Sequence, residues 1–143
     1  MNAIVDTRYG RLQGINHPDH WEFRGIPYAA PPVGHLRFAA PQTPAPWAGI
    51  RRADRFSDAR PQTLNPLNGI NHTSEDCLYL NLWAPQPAEK PRPVMVWIHG
   101  GGFCSGSGSQ LMYRGKSLAV GGDMVVVTLN YRLGVLGFLH LDK

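Results

Sequence analysis

The chain has 143 residues, the length of one ordinary domain with a substantial core. Hydrophobic residues make up 43% and charged residues 17%, a globular balance, while 16 Gly and 13 Pro favour strands and turns over long helices. Its net charge of +4 is spread over separated residues, Arg8, Arg11, Arg24, Arg37, Arg92, Arg114 and Arg132 among them, and the one basic cluster, Arg51, Arg52 and Arg55, is interleaved with Asp54 and Asp58. That pattern is a solvated surface and excludes a concentrated nucleic-acid footprint.

Residues Met1 to Asp6 carry neither a basic stretch nor a long apolar one, so no secretory leader is read there. No apolar run approaches the ~20 residues of a membrane span. A soluble cytoplasmic protein is the expectation. Cys77 and Cys104 are too few for a disulfide framework and stand at no metal-ligand spacing.

In chain order, Ile4 to Ile15, broken at Tyr9-Gly10, reads as a hairpin, and Trp21 to Ile26 alternates apolar and polar side chains like a further strand. Pro27 to Pro66 holds eight prolines and little periodicity, the signature of a long ordered loop. Leu78 to Trp83 alternates again, Pro85 to Pro93 breaks the chain, and Val94 to Ile98 is a second strand. After a glycine run, Leu111 to Val120 has room for a turn or two of helix. Met124 to Leu129 is apolar without alternation, as in a strand buried on both faces. Such a strand needs covering helices for which the sequence has little room, so an incomplete fold with an uncovered edge at Met124 to Leu129 is expected. There is no internal repeat.

His99-Gly100-Gly101-Gly102-Phe103 follows the strand Val94 to Ile98 directly. Glycines there let backbone N–H groups approach a substrate closely, and two such donors can hold the oxyanion of acyl transfer. A tight strand-to-helix turn would use glycines in the same way. The surrounding blocks separate the two readings. Phe23 to Ala29, Pro31 to Gly34 with Leu36-Arg37-Phe38, Ser74 to Asn81, Val94 to Phe103, and Asn130 to Gly134 with Gly137-Phe138-Leu139 together resemble the type-B carboxylesterase family, which includes the cholinesterases, over nearly the whole chain.

The resemblance implies an α/β class fold: the N-terminal portion of an α/β-hydrolase, with small antiparallel strands leading into a mostly parallel central sheet. Residues 1–143 would be the first part of one such domain, ending before the nucleophile elbow. It implies cofactor-independent hydrolysis of small-molecule carboxylic esters, with Gly101 and Gly102 as oxyanion donors and the serine, acid and histidine of the triad supplied outside this chain. His99 and Gly100 would shape the loop. Arg37 and Glu75 match a buried ion pair of the family, and Arg132 matches an arginine whose acidic partner falls beyond Lys143, leaving it unpaired here.

Two departures qualify the resemblance. The family's cysteine at the Cys77 position often pairs with one in the segment aligned with Asp58 to Gln62, where this chain has Ala59-Arg60-Pro61, which favours a reducing compartment. Thr63 to Thr73 has no Phe, Tyr or Trp where cholinesterases place a tryptophan for quaternary ammonium, which argues against choline esters.

Several rival motifs are weaker. Gly102-Phe103-Cys104-Ser105-Gly106 fits a cysteine elbow, but the strand end is already taken by glycines and no helix-forming run follows. Ser117 in Gly115 to Ala119 lacks the last elbow glycine, and Ser105 and Ser107 stand where a dinucleotide or Walker loop needs Gly or Lys, so no cofactor is read. His17-Pro18-Asp19-His20 reads as a turn without further ligands, and no metal is read from it. A functional alternative stays open: an esterase-like interaction module that has lost its serine would keep these same N-terminal blocks.

Overall fold

The structure, a computed structural model, describes residues 3–87 and 90–140. The leader reading at Met1 to Asp6 and the break at Pro85 to Pro93 fall partly outside them.

Strands β1 (Ile4–Thr7) and β2 (Gly10–Gln13) form the expected hairpin, Thr7 facing Gly10 across the turn. β3 (Ile15–Asn16) turns back onto β4 (His20–Pro27), and β4 pairs antiparallel with β6 (Tyr79–Pro85) through a bulge between Phe23 and Ile26. Inside the proline-rich stretch lies a short strand, β5 (Ile50–Arg52), parallel to β2. Three residues are too few to show a period, so this strand left no signal in the sequence.

The larger sheet runs β3-β4-β6-β8-β7, where β7 is Val94–Ile98 and β8 is Val125–Leu129. Only β7 and β8 are parallel within it. This pair is the part of the expected parallel sheet that the described residues contain. Helix α1 (Lys116–Gly122) is the crossover between them, preceded by a single tight turn at Leu111–Tyr113, and α2 (Gly134–Phe138) follows β8.

Two sequence expectations change here. β8 lies inside the sheet, paired with β6 and β7, so the edge on that side is β7. Nor is β8 buried on both faces: Val126 and Thr128 are buried, while Val125, Val127 and Leu129 are half-buried. On one face Val126 packs with Trp83 of β6 and Ala119 of α1, joined by Phe56, Met95 and Met124. On the opposite face of the larger sheet, Phe23, Leu12, Ala3 and Ala53 pack with Leu82 and Trp47 against the small sheet.

Buried polar positions in the strands are tied across the sheet. Asn81 Oδ1 accepts from the Gly25 N–H at the bulge, Asn81 Nδ2 donates to Thr128 Oγ1, and Thr128 Oγ1 donates to the Gly108 carbonyl. This chain of bonds connects the β4 bulge to the segment after the glycine run. It satisfies groups whose burial would otherwise cost about 1–3 kcal/mol each.

Candidate functional site

The loop from His99 to Gly106 leaves the C-terminal end of β7, beside the parallel strand β8. Binding crevices of parallel sheets form at that end. His99 is 2% exposed, and burial holds its imidazole below the ordinary value despite a backbone bond that pulls the other way. The Nδ1 lies 2.8 Å from the Gly100 carbonyl oxygen. A carbonyl can only accept, so Nδ1 carries the proton and donates.

That bond has a geometric consequence. In a trans peptide the C=O and the following N–H point in opposite directions. With the Gly100 carbonyl turned to His99, the Gly101 N–H faces the other way. The next peptide is fixed similarly: the Gly101 carbonyl accepts from Cys104 N and Ser105 N, both at 3.1 Å, and from Ser105 Oγ at 3.3 Å, which turns the Gly102 N–H away from the loop's interior. Among the described residues, nothing accepts from either N–H. Both glycines are exposed.

Only glycine fits at Gly101. Its φ is +127°, and a Cβ there would lie 2.0 Å from the Ser105 carbonyl oxygen. The sequence signal, three glycines after an apolar strand, thus reflects a loop wound tightly on itself.

The last family block cradles this loop. The Tyr131 hydroxyl donates to the His99 carbonyl, the Gly134 N–H to the Phe103 carbonyl, and Phe138 packs on Phe103 with ring centres 4.7 Å apart. Asn130 Oδ1 accepts from Ser107 Oγ and Gly108 N, while its Nδ2 donates to Ser57 Oγ and the Asp58 carbonyl. Asn81, Thr128, Asn130 and Tyr131 were not singled out as site residues by the sequence. The signal available was a polar residue in or just after an apolar strand, which burial must satisfy.

Beside Gly101 opens a cleft of about 390 Å³. Leu64, Asn65, Ile70, Met112 and Tyr113 are among the residues facing the glycines, and none of the described residues lining it is charged. The segment Thr63 to Thr73, singled out in the sequence for its lack of Phe, Tyr and Trp, thus contributes one wall.

Other expected residues are placed as follows. Arg37 and Glu75 do pair, with both guanidinium bonds at 2.7 Å, but the pair is not buried: the side chains are 47% and 27% exposed. It clips the proline-rich loop to the segment before β6 at the surface, where such pairs contribute little. Among the described residues Arg132 forms no ion pair with a carboxylate; its Nη1 donates instead to the Ala39 carbonyl at 2.8 Å.

Cys104 is exposed, and its main-chain N–H is one of the bonds that wind the loop; with the His99 Nδ1 proton given to Gly100, that nitrogen is not a base for the thiol. Cys77 is buried, and burial with nearby Asp76 pushes its thiol up to about 11. Ser117 lies in α1, a helix that follows the tight turn Leu111–Tyr113 and not a strand.

The turn at His17 to His20 does gain a further ligand type that the sequence reading overlooked. Glu22 brings His17, His20 and a carboxylate oxygen within 4.8 Å of one another. The carboxylate is already taken: Oε1 accepts from Arg24 Nε and Trp83 Nε1, Oε2 from Arg24 Nη2 and His17 Nε2, and His20 Nδ1 faces Asp19. Stacked rings and a saturated carboxylate make this an anchor for β4 and β6.

Comparison with known proteins agrees with the fold. The model of the carboxylesterase family matches residues 1–143. The chain is 48% identical over 147 residues to the para-nitrobenzyl esterase of Bacillus subtilis, covering 99% of this chain and 30% of that protein. It is 44% identical to the phenmedipham hydrolase of Pseudarthrobacter oxydans, with 95% and 29% covered, and 42% identical to the cholinesterase of Mus musculus, with 95% and 25% covered. A solved PNB esterase superposes with a TM-score of 0.94 at 46% identity, covering 99% of this chain and 30% of that one. The Geobacillus stearothermophilus carboxylesterase superposes with a TM-score of 0.89 at 48% identity, covering 96% and 28%. The chain spans about 30% of the length of the para-nitrobenzyl esterase and of the solved PNB esterase. It has an α/β-hydrolase architecture in part, and it belongs to the carboxylesterase family.

Proposed function

We propose that this chain is the oxyanion-binding portion of a serine carboxylesterase acting on small, uncharged carboxylic esters without a cofactor. The observation that carries this reading is the outward aim of the Gly101 and Gly102 N–H groups, each set by a carbonyl pinned on its far side. As a serine attacks an ester carbonyl, the oxygen gains negative charge. Fixed donors aimed there cost no reorganisation at that moment, and one such donor contributes about 2.7–4 kcal/mol in measured cases. Serine, acid and histidine belong to the remaining length that the relatives have. A thiol at Cys104 or a base at His99 does not replace them.

The uncharged cleft beside Gly101 supports a neutral ester over a cationic one. His99 contributes as the neutral Nδ1–H tautomer that sets the first peptide, and Gly100 as the acceptor it sets. Arg37, Glu75 and Arg132 hold the neighbouring loop and act at no reacting atom.

The test is hydrolysis of p-nitrophenyl acetate by the complete protein and by the 143-residue chain alone. Turnover by the complete protein, abolished by a serine-directed organophosphate, supports the proposal, with none from the isolated chain. A folded complete protein with no turnover on a panel of neutral esters overturns it and leaves the non-catalytic interaction module.

A further inference from the structure

We propose that Gln62 is a positioning residue for the two oxyanion donors, acting through Gly106; the inference rests on the reading of Gly101 and Gly102 given above. The Gly106 N–H donates to Gln62 Oε1 at 2.7 Å, and Gln62 Nε2 donates back to the Gly106 carbonyl at 2.8 Å. A carboxamide that accepts from and donates to one residue's main chain reproduces the pairing of a neighbouring strand. The other amide proton is directed to the Arg60 carbonyl, 3.1 Å from the same nitrogen, which ties the clamp to its own segment.

Gly106 is where that clamp meets the loop. Its φ is +112°, and a Cβ there would fall 2.4 Å from His99 Nδ1 and 2.5 Å from the Gly100 carbonyl oxygen. The Gly106 backbone therefore rests on the two atoms of the hydrogen bond that aims the Gly101 N–H. Its chain neighbour is Ser105, whose N–H and Oγ hold the Gly101 carbonyl and so aim the Gly102 N–H. One side chain, 44 residues distant in sequence, thus fixes the point through which both peptides are set. Among the described residues no other side chain bonds to the Gly106 backbone.

Gln62→Met keeps the side chain's size and removes both bonds. In the complete protein it should lower kcat for p-nitrophenyl acetate by about tenfold or more while KM stays within about twofold, because a misaimed donor loses transition-state stabilisation and little ground-state binding. Gln62→Glu separates positioning from mere filling. As a carboxylate it still accepts from Gly106 N but faces the Gly106 and Arg60 carbonyls without a proton to give; once protonated it regains a donor. Its kcat relative to the parent enzyme should rise as pH falls through the carboxyl range, which a space-filling role would not produce. In the complete protein labelled with 15N-glycine, Gln62→Met should shift the amide signals of Gly101, Gly102 and Gly106 and leave Gly10 unmoved. Unchanged kcat with these variants in an active parent overturns the positioning role, as does a rise in KM alone. An inactive parent overturns the esterase reading instead, and the glycine amide shifts then decide separately whether Gln62 orders the loop.

Discussion

The Tyr131 hydroxyl donates to the His99 carbonyl at 2.7 Å while its ring stacks on the His99 imidazole, centres 4.5 Å apart. The two contacts can be separated by substitution. Tyr131→Phe keeps the ring contact and removes one hydrogen bond, an expected loss of about 0.5–1.5 kcal/mol. Tyr131→Ala removes both and opens space beneath a buried imidazole, so its loss should be clearly larger. Urea denaturation of the two variants measures this, and equal losses would show that the ring contact contributes nothing.

Gly101 and Gly102 differ sharply in what they tolerate. An alanine Cβ at Gly101 would lie 2.0 Å from the Ser105 carbonyl oxygen, so Gly101→Ala must break the bonds that wind the loop. At Gly102, φ is +59° and nothing lies within 4 Å of a Cβ, so Gly102→Ala meets only the left-handed backbone cost of about 1–2 kcal/mol. In the complete protein, Gly101→Ala should abolish ester turnover, and Gly102→Ala should keep a measurable fraction of it with a slightly lowered melting temperature. Kinetics and thermal melts on both variants check the order; the reverse order would show that the winding of the loop does not set the donors.

Much of this was legible in the sequence because strand period and glycine placement are local signals. Val94 to Ile98 and the three glycines after it announce a strand and a close backbone approach within ten residues. The pairing of β8 with both β6 and β7 was not legible, since an unbroken apolar run gives no phase and sheet order is a long-range property. Hence the edge was expected at Met124 to Leu129 and is found at Val94 to Ile98. Gln62 was hidden for the same reason: a lone glutamine in a proline-rich loop carries no pattern, and its meaning comes only from a partner 44 residues away. The Arg37–Glu75 pair was found through family resemblance, which fixes partners but not their depth.

Glu22 makes stability depend on acidity. Burial alone would raise its carboxyl pKa, but the Arg24 fork, with His17 and Trp83, brings it below the ordinary 4.5. As pH falls below that ordinary value the unfolded chain takes up the proton first, so the folded state loses stability progressively until pH has passed the folded value. The urea midpoint should therefore drop on acidification from about pH 6 to about pH 3. Glu22→Gln should lower stability at neutral pH and flatten that slope, and an unchanged slope would mean that the fork does not hold the carboxylate.

β7 should make the isolated chain self-associate. It is the outer strand of the larger sheet, and its Val94, Val96 and Ile98 side chains are 62%, 53% and 66% exposed on one face. Met95 and Trp97 point to the opposite face, toward Tyr113 and Leu118. An apolar edge strand with free backbone groups is a template for another strand. A charge in the middle of this row blocks this without touching the opposite face, since lysine beside a second copy's lysine repels and must be desolvated. Sedimentation velocity over a dilution series should show the 143-residue chain associating beyond a monomer, and Val96→Lys should shift it toward the monomer while circular dichroism stays unchanged. A parent chain that sediments as a monomer at every concentration would show that the edge is protected.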